Sequence, residues 1–190
     1  MRKVILQMQI TLDGFVSGPN GELDWIDFDP AMGEEHYALA EHADAALMGH
    51  TVYGIMSGYW PAVANHPEGS SNEVAYAKLV NAMKKIVFST KEETMKWSNA
   101  SQCLIKDGDD LAQKVLDMKK QPGGYLLLNG GIQTAQTFIT HDLVDEYRLD
   151  LCPVALGEGK ALFTDRTNLK LVNVKQYDSG AMTLTYLPKR

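Results

Sequence analysis

Tyr125-Leu126-Leu127-Leu128-Asn129-Gly130-Gly131-Ile132 passes from an unbroken apolar run through two adjacent glycines into a helical pattern. A strand that is apolar at every position has to be covered on both faces, as a central parallel strand is. Just upstream, Pro122-Gly123-Gly124 stops a helix whose Leu111, Ala112, Val115, Leu116 and Met118 share one face. Helix, turn, buried strand, glycine turn and helix together predict an α/β sheet.

The same grammar extends toward the N-terminus. Val4, Leu6, Met8 and Ile10 alternate with Ile5, Gln7 and Gln9 as a first strand. A long loop from Thr11 to Asp24 turns at Gly18-Pro19-Asn20-Gly21. A helix is expected over Met32–His42, a short strand over Ala45–Met48, and a helix over Thr51–Gly58. Pro61 to Ser71 reads as an internal loop, Asn72–Met83 as a helix, and Ile86–Phe88 and Cys103–Ile105 as strands. Downstream of the deciding stretch, a helix runs to about Thr140 and the character then changes. Leu143–Cys152, Leu169–Tyr177 and Ala181–Leu187 are strand-like, with a turn at Ser179-Gly180. The expectation is a mixed, mostly parallel central sheet flanked by helices, closing on antiparallel strands, in one domain over 1–190.

Three strand ends deliver glycine or hydroxyl residues to a helix start or turn. They are Gly49-His50-Thr51, Ser89-Thr90-Lys91, and Gly130-Gly131-Ile132-Gln133. Free N–H groups at a helix start attract anions, and glycine admits them closely. Each junction alone is equally an ordinary turn, with Thr51 as a cap or Ser89 in a polar bend. Ligands in open α/β sheets gather at the carboxyl ends of parallel strands, so three junctions together point to one elongated anion. No G-x-G-x-x-G is present.

Composition narrows the partners. The chain has 190 residues, 45% hydrophobic and 22% charged, with a formal charge of -6. Without a basic stripe, nucleic acid is not an expected partner. No apolar run nears the roughly 20 residues that span a bilayer, so a membrane is not expected either. The N-terminus lacks a signal-peptide pattern. Two cysteines far apart, Cys103 and Cys152, suit a reduced cytoplasmic protein.

Several stretches, in order and spacing, resemble a known superfamily. They are Thr11-Leu12-Asp13-Gly14-Phe15-Val16, Gly18-Pro19-Asn20-Gly21-Glu22-Leu23-Asp24-Trp25, Leu47-Met48-Gly49-His50-Thr51-Val52-Tyr53, and Lys85-Ile86-Val87-Phe88-Ser89-Thr90. Leu128-Asn129-Gly130-Gly131, Leu143-Val144-Asp145-Glu146-Tyr147-Arg148-Leu149, Pro153–Lys160 and Leu162-Phe163 complete the set. They resemble the dihydrofolate reductase-like superfamily, in the branch named for the C-terminal reductase domain of the bifunctional riboflavin-biosynthesis deaminase/reductase. The resemblance implies an NADPH-dependent reductase with a dihydrofolate reductase-like three-layer fold, and a homodimer. It places the cofactor phosphates at Gly49, His50, Thr51 and at Gly130, Gly131, Ile132, Gln133. Ser89 and Thr90 fall near the adenosine end, and the Thr11–Val16 loop borders the nicotinamide. His50 stands where the family usually has arginine, a change that reduces the charge offered to a phosphate.

The resemblance departs from folate enzymes at the substrate site. Asp24 replaces a proline before Trp25, and Asp27, Asp29, Glu34 and Glu35 do not align with the acidic residue that grips a pterin. A pterin or ribosylaminopyrimidine-like substrate is expected, and 5-amino-6-(5-phosphoribosylamino)uracil is one candidate. The zinc-deaminase pattern H-x-E…P-C-x-x-C is missing, which excludes deamination. Asp13 is the side-chain candidate to orient substrate or relay a proton, or else it caps the turn at Gly14. Trp25 and Tyr53 line a pocket or belong to the core. His36, His42, His66 and His141 read as surface or satisfied histidines without a metal pattern. Asp107, Asp109 and Asp110 read as a helix cap. Asp145-Glu146 reads as one solvent-facing and one partly covered position. A nucleotide- or flavin-binding protein without turnover, and a homodimeric structural module, are the competing classes.

Overall fold

The computed structural model describes residues 1–27, 29–65 and 71–189. Its strands are β1 (Val4–Thr11), β2 (Phe15–Ser17), β3 (Ala43–Gly49), β4 (Lys84–Ser89), β5 (Ala100–Leu104), β6 (Tyr125–Leu128), β7 (Glu146–Cys152), β8 (Lys160–Ala161), β9 (Leu169–Gln176) and β10 (Met182–Pro188). Its helices are α1 (Pro30–Glu41), α2 (His50–Val63), α3 (Ser71–Ala82), α4 (Gly108–Lys120) and α5 (Ile132–Thr140). Eight strands form one sheet in the order β5-β4-β3-β6-β1-β7-β10-β9. From β5 to β7 every neighbouring pair is parallel, and β10 and β9 close the sheet antiparallel. The mixed sheet and its antiparallel end are as the sequence predicts.

Period-two alternation decides which side chain goes to which layer. Val4, Leu6 and Ile10 of β1 join Leu126 and Leu128 of β6 in a core that α4 and α5 cover with Leu111, Val115, Ala135 and Phe138. Phe138 meets Phe88 edge-on, with ring centroids 5.7 Å apart. The opposite parity, Ile5, Ala46, Met48, Val87 and Leu127, faces a second core closed by Tyr53 of α2, Val80 of α3 and Ala40 of α1. Two helices lie on one face and three on the other, which gives the three layers.

Lys85 of β4 is fully buried in that second layer. Its ammonium donates to Asn81 O at 2.7 Å and Ser98 O at 2.9 Å, and lies 4.2 Å from the Trp97 ring centroid. Burial pushes its pKa down to about 8. At the lower edge, Asp145 accepts from Val4 N and from the buried Lys119. Neither Asp145 nor Glu146 is solvent-facing, because Glu146 in turn accepts from Arg148. Asp107 caps α4 by accepting from Asp110 N, as its position predicts.

Two local expectations change. Phe15–Ser17 pairs with Lys160–Ala161, so the long loop after β1 contains a strand. Helix α2 continues past Gly58 and through Pro61 to Val63. A proline inside a helix costs about 3 kcal/mol. Here Trp60 stacks edge-on with Tyr59 and Tyr76 and its carbonyl accepts from Asn81, contacts that hold the last turn in place. His66 lies outside the described residues.

Candidate functional site

The strand order settles whether the predicted junctions meet. β4, β3, β6 and β1 are consecutive neighbours, so the carboxyl ends that carry Ser89, Gly49, Asn129 and Thr11 lie side by side. β6 ends at Leu128, opposite Leu6 of β1 and Leu47 of β3. β1 runs on to Thr11 alongside β7, and a notch is left above the end of β6.

Two helix starts converge on that notch. Gly49 N donates to Gly130 O at 2.9 Å, and neither Gly49 nor Gly131 provides a side-chain cap for the helix it precedes. A Cβ on Gly49 would stand 2.3 Å from Thr134 Oγ1, and one on Gly130 2.7 Å from Met8 Cε. Gly130 also has φ +94, in the left-handed region, and the Gly130–Gly131 peptide is cis. Gly131 has more room, with Val52 Cγ2 at 3.4 Å from the position of its Cβ. The backbones of α2 and α5 thus meet as closely as glycine allows, and their first-turn N–H groups form one cradle.

His50 and Thr51 sit exposed in the first turn of α2 and Gln133 in that of α5, while Ile132 is half-buried against the main core. His50 Nδ1 lies 2.8 Å from Glu93 Oε2 on the β4–β5 connection, so a carboxylate stands beside the cradle. Ser89 spends its hydroxyl on Lys91, donating to the carbonyl and accepting from the amide, which is the polar-bend alternative. Thr90 beside it is exposed.

The loop residues are more occupied than the sequence suggests. Val16 is a member of the main core, and Thr11 is buried with its hydroxyl donating to Asp13 and accepting from Phe15 N. Asp13 accepts from Thr11 Oγ1 at 2.6 Å, Gly157 N at 2.7 Å and Leu156 N at 3.3 Å. The Thr11 hydroxyl, then the Gly157 amide, hold its carboxyl below the usual carboxylate range. A carboxylate with three donors and a lowered pKa has no proton to relay at neutral pH. Asp13 is therefore a staple between two loops, neither a proton relay nor a cap on its own turn.

Tyr53 is corrected too. Its side chain is buried in the second core, and its hydroxyl accepts from Lys96 N and Trp97 N. Trp25 is half-buried, with its indole N–H donating to Glu22 O at 3.2 Å. A cleft of about 830 Å³ lies between α2, α3 and the Lys96–Ser98 turn, and no residue of the cradle lines it.

One polar group was missed as a group. Asp150 on β7 is buried and accepts from Thr183 Oγ1 at 2.6 Å, while its other oxygen lies 2.7 Å from His36 Nε2 of α1. The Tyr177 hydroxyl is 2.8 Å from Thr183 Oγ1. Beyond burial, Asp150 and Asp27 help push the Cys152 thiol up to about 11. The satisfied-histidine reading fits His36, but its buried carboxylate partner gave no sign in sequence spacing. The available signal was parity: polar residues occupy alternate positions of three strands.

A three-layer α/β sheet with glycine-lined helix starts at its strand ends defines the dihydrofolate reductase-like class. Within it, residues 2–183 match the model of the RibD C-terminal domain, and the chain belongs to that family. It is 38% identical over 188 residues to the uncharacterized protein YyaP of Bacillus subtilis, covering 97% of this chain and 94% of that protein. It is 26% identical over 157 residues to the riboflavin biosynthesis protein RibD of Corynebacterium ammoniagenes, covering 82% of this chain but 44% of that longer protein. Among solved structures, Acinetobacter baumannii RibD superposes with a TM-score of 0.72 at 17% identity over 100% of this chain and 58% of its own, a likeness of fold. No described helix is long and apolar enough to cross a membrane.

Proposed function

We propose that the chain, as one domain over 1–190, is an NADPH-dependent reductase of a small heterocycle of the pterin or ribosylaminopyrimidine kind. The observation that carries this reading is the contact of Gly49 N with Gly130 O, which brings two uncapped helix starts onto adjacent strand ends. Gly49, His50 and Thr51 hold one phosphate and Gly130 to Gln133 the other, through backbone N–H groups. Ser89 and Thr90 stand at the adenosine end, with Thr90 the exposed hydroxyl. The backbone of Thr11 to Val16, fixed by Asp13, borders the ring end. NADPH supplies the hydride when bound, and the protein orients it and excludes water. A phosphate bound here competes with Glu93 for the His50 ring.

The first test is a melting-temperature shift with NADPH and none with NADH. The second is loss of nicotinamide absorbance with 5-amino-6-(5-phosphoribosylamino)uracil and a panel of pterins. Gly131→Phe is expected to weaken NADPH binding at least 100-fold while keeping the melting temperature within a few degrees, since only Val52 is near its Cβ. Unchanged affinity in that variant overturns the cradle. Binding without oxidation of NADPH by any of these compounds favours a nucleotide-binding protein without turnover.

A homodimer is a further part of this reading. β9 is an edge strand with every residue after Leu169 exposed, including Leu171, Val172 and Val174. Long apolar edges invite pairing with another strand. Light scattering is expected to give twice the chain mass, and Val172→Lys with Val174→Lys to halve it. Both thiols are raised by burial and unpaired, which suits the reducing cytoplasm as the place of work.

A further inference from the structure

The face of the sheet beneath α1 is not uniform. At one end of the helix, Met32 packs with Tyr177 and Ala181. At the other, Ala40 joins the core of Ile5 and Leu127. Between them the sheet presents polar residues in three rungs set by the strand register. Gln7, Arg148 and Thr185 form the lowest, Gln9, Asp150 and Thr183 the middle, and Thr11 with Cys152 the highest. All share one parity of β1, β7 and β10, opposite to the apolar Leu6, Leu149 and Leu184.

Polar groups buried under a helix are expensive unless paired. Thr185 Oγ1 is buried with no hydrogen-bond partner among the described residues. The middle rung is the reverse, a chain from Tyr177 through Thr183 and Asp150 to His36. Asp150 is 1% exposed and His36 13%, so the imidazole is the end of the chain that reaches outward. Among the described residues Asp150 is the only hydrogen-bond partner of the His36 ring, and it takes Nε2. Nδ1 is left for something else.

The rung lies beside the notch. Asp150 pairs with Gln9, three residues beyond the level at which β6 stops, and β7 is two strands from β6. That places it about 10 Å to the side of the notch and above its floor. Asp13, the other candidate to deliver a proton, is consumed by three donors.

Resting on the reductase reading above, we propose that His36 delivers the proton of the reduction, with Asp150, Thr183 and Tyr177 positioning its ring. Reducing a C=N or C=O bond places a hydride on carbon and a proton on nitrogen or oxygen. The hydride is the cofactor's. The His36 Nδ1–H bond breaks as the new N–H or O–H forms, the imidazolium becomes imidazole, and water returns the proton. A buried carboxylate behind one imidazole nitrogen fixes the orientation of the ring and leaves the other nitrogen to face outward.

The test uses the protein labelled with ¹⁵N-histidine, with His36 assigned by its disappearance in His36→Gln. The measurement is made on the NADP⁺-saturated wild type at neutral pH. Asp150→Asn is expected to shift the His36 Nε2 resonance, the nitrogen that faces the carboxylate. Thr183→Val, which keeps the side-chain shape, is expected to shift the same resonance by less, because Asp150 keeps its contact with the ring. Adding 5,6-diaminouracil is expected to shift His36 Nδ1 and leave His42 and His141 unmoved. A ring silent to 5,6-diaminouracil overturns the proposal. Failure of the wild type to bind NADPH removes the reductase reading and this inference with it, whereas NADPH binding with a silent ring removes this inference alone.

Discussion

One face of the sheet is built in two ways. Under α2 and α3, strands β4, β3 and β6 present Val87, Ala46, Met48 and Leu127, an apolar surface closed by Tyr53, Val80 and Trp97. Under α1, strands β1, β7 and β10 present glutamines, threonines, Arg148 and Asp150 at the same parity. Both regions have a helix for a roof. The first is what hydrophobic burial alone selects. The second gives up part of that gain, and a fold that needed only stability would have no use for it.

The sharpest way to break this contrast is through catalysis. His36→Gln is expected to lower turnover of the physiological substrate 10²- to 10⁴-fold, the usual contribution of a positioned acid, while NADPH affinity stays within threefold. Stopped-flow hydride transfer compared with NADPH titration checks it. In the apolar half, Leu127→Ala is expected to cost about 2–5 kcal/mol of stability by opening a cavity in a fully covered layer, measured by urea unfolding.

Lys85 sharpens the comparison from the other side, being the one charge set into the apolar half. Its folded pKa of about 8 lies below the ordinary lysine value near 10.4, so from pH 8 to 10 the unfolded chain binds more protons. Its contribution to stability therefore improves as pH rises through that window, and the burial penalty is fully present below it. Lys85→Met is expected to flatten this part of the pH–stability curve. It is also expected to lose about 1–3 kcal/mol at pH 7 by stranding the carbonyls of Asn81 and Ser98. The smallest effect is expected in the polar half. Thr185→Val removes a hydroxyl that has no partner and should leave stability unchanged or raise it by about 1 kcal/mol.

The layers were legible because Tyr125–Leu128 is apolar at every position and β1 alternates cleanly. The glycine junctions were legible because Gly49 and Gly130-Gly131 break their patterns at the ends of predicted strands. Their meeting was not, since sheet order depends on crossovers that local periodicity does not encode. β2 and β8 escaped notice at three and two residues, too short to show a period. Pro61 misled because aromatic packing around Trp60 overrides a local breaker. Asp13 and Tyr53 carried the right chemistry for a site, but besides Thr11 next to Asp13 they are held by backbone amides 143 and 43 residues away, invisible to any motif. The polar rungs were written in the parity of Gln7, Gln9, Arg148, Asp150, Thr183 and Thr185. Only the register assembles them.

Asp13 joins the segment after β1 to the segment after β7, so the two move as one mechanical piece. Whatever opens the ring end of the cradle must break the carboxylate's hold on Leu156 and Gly157, or carry both segments together. Hydrogen–deuterium exchange at the amides of those two residues therefore reads how often this staple opens.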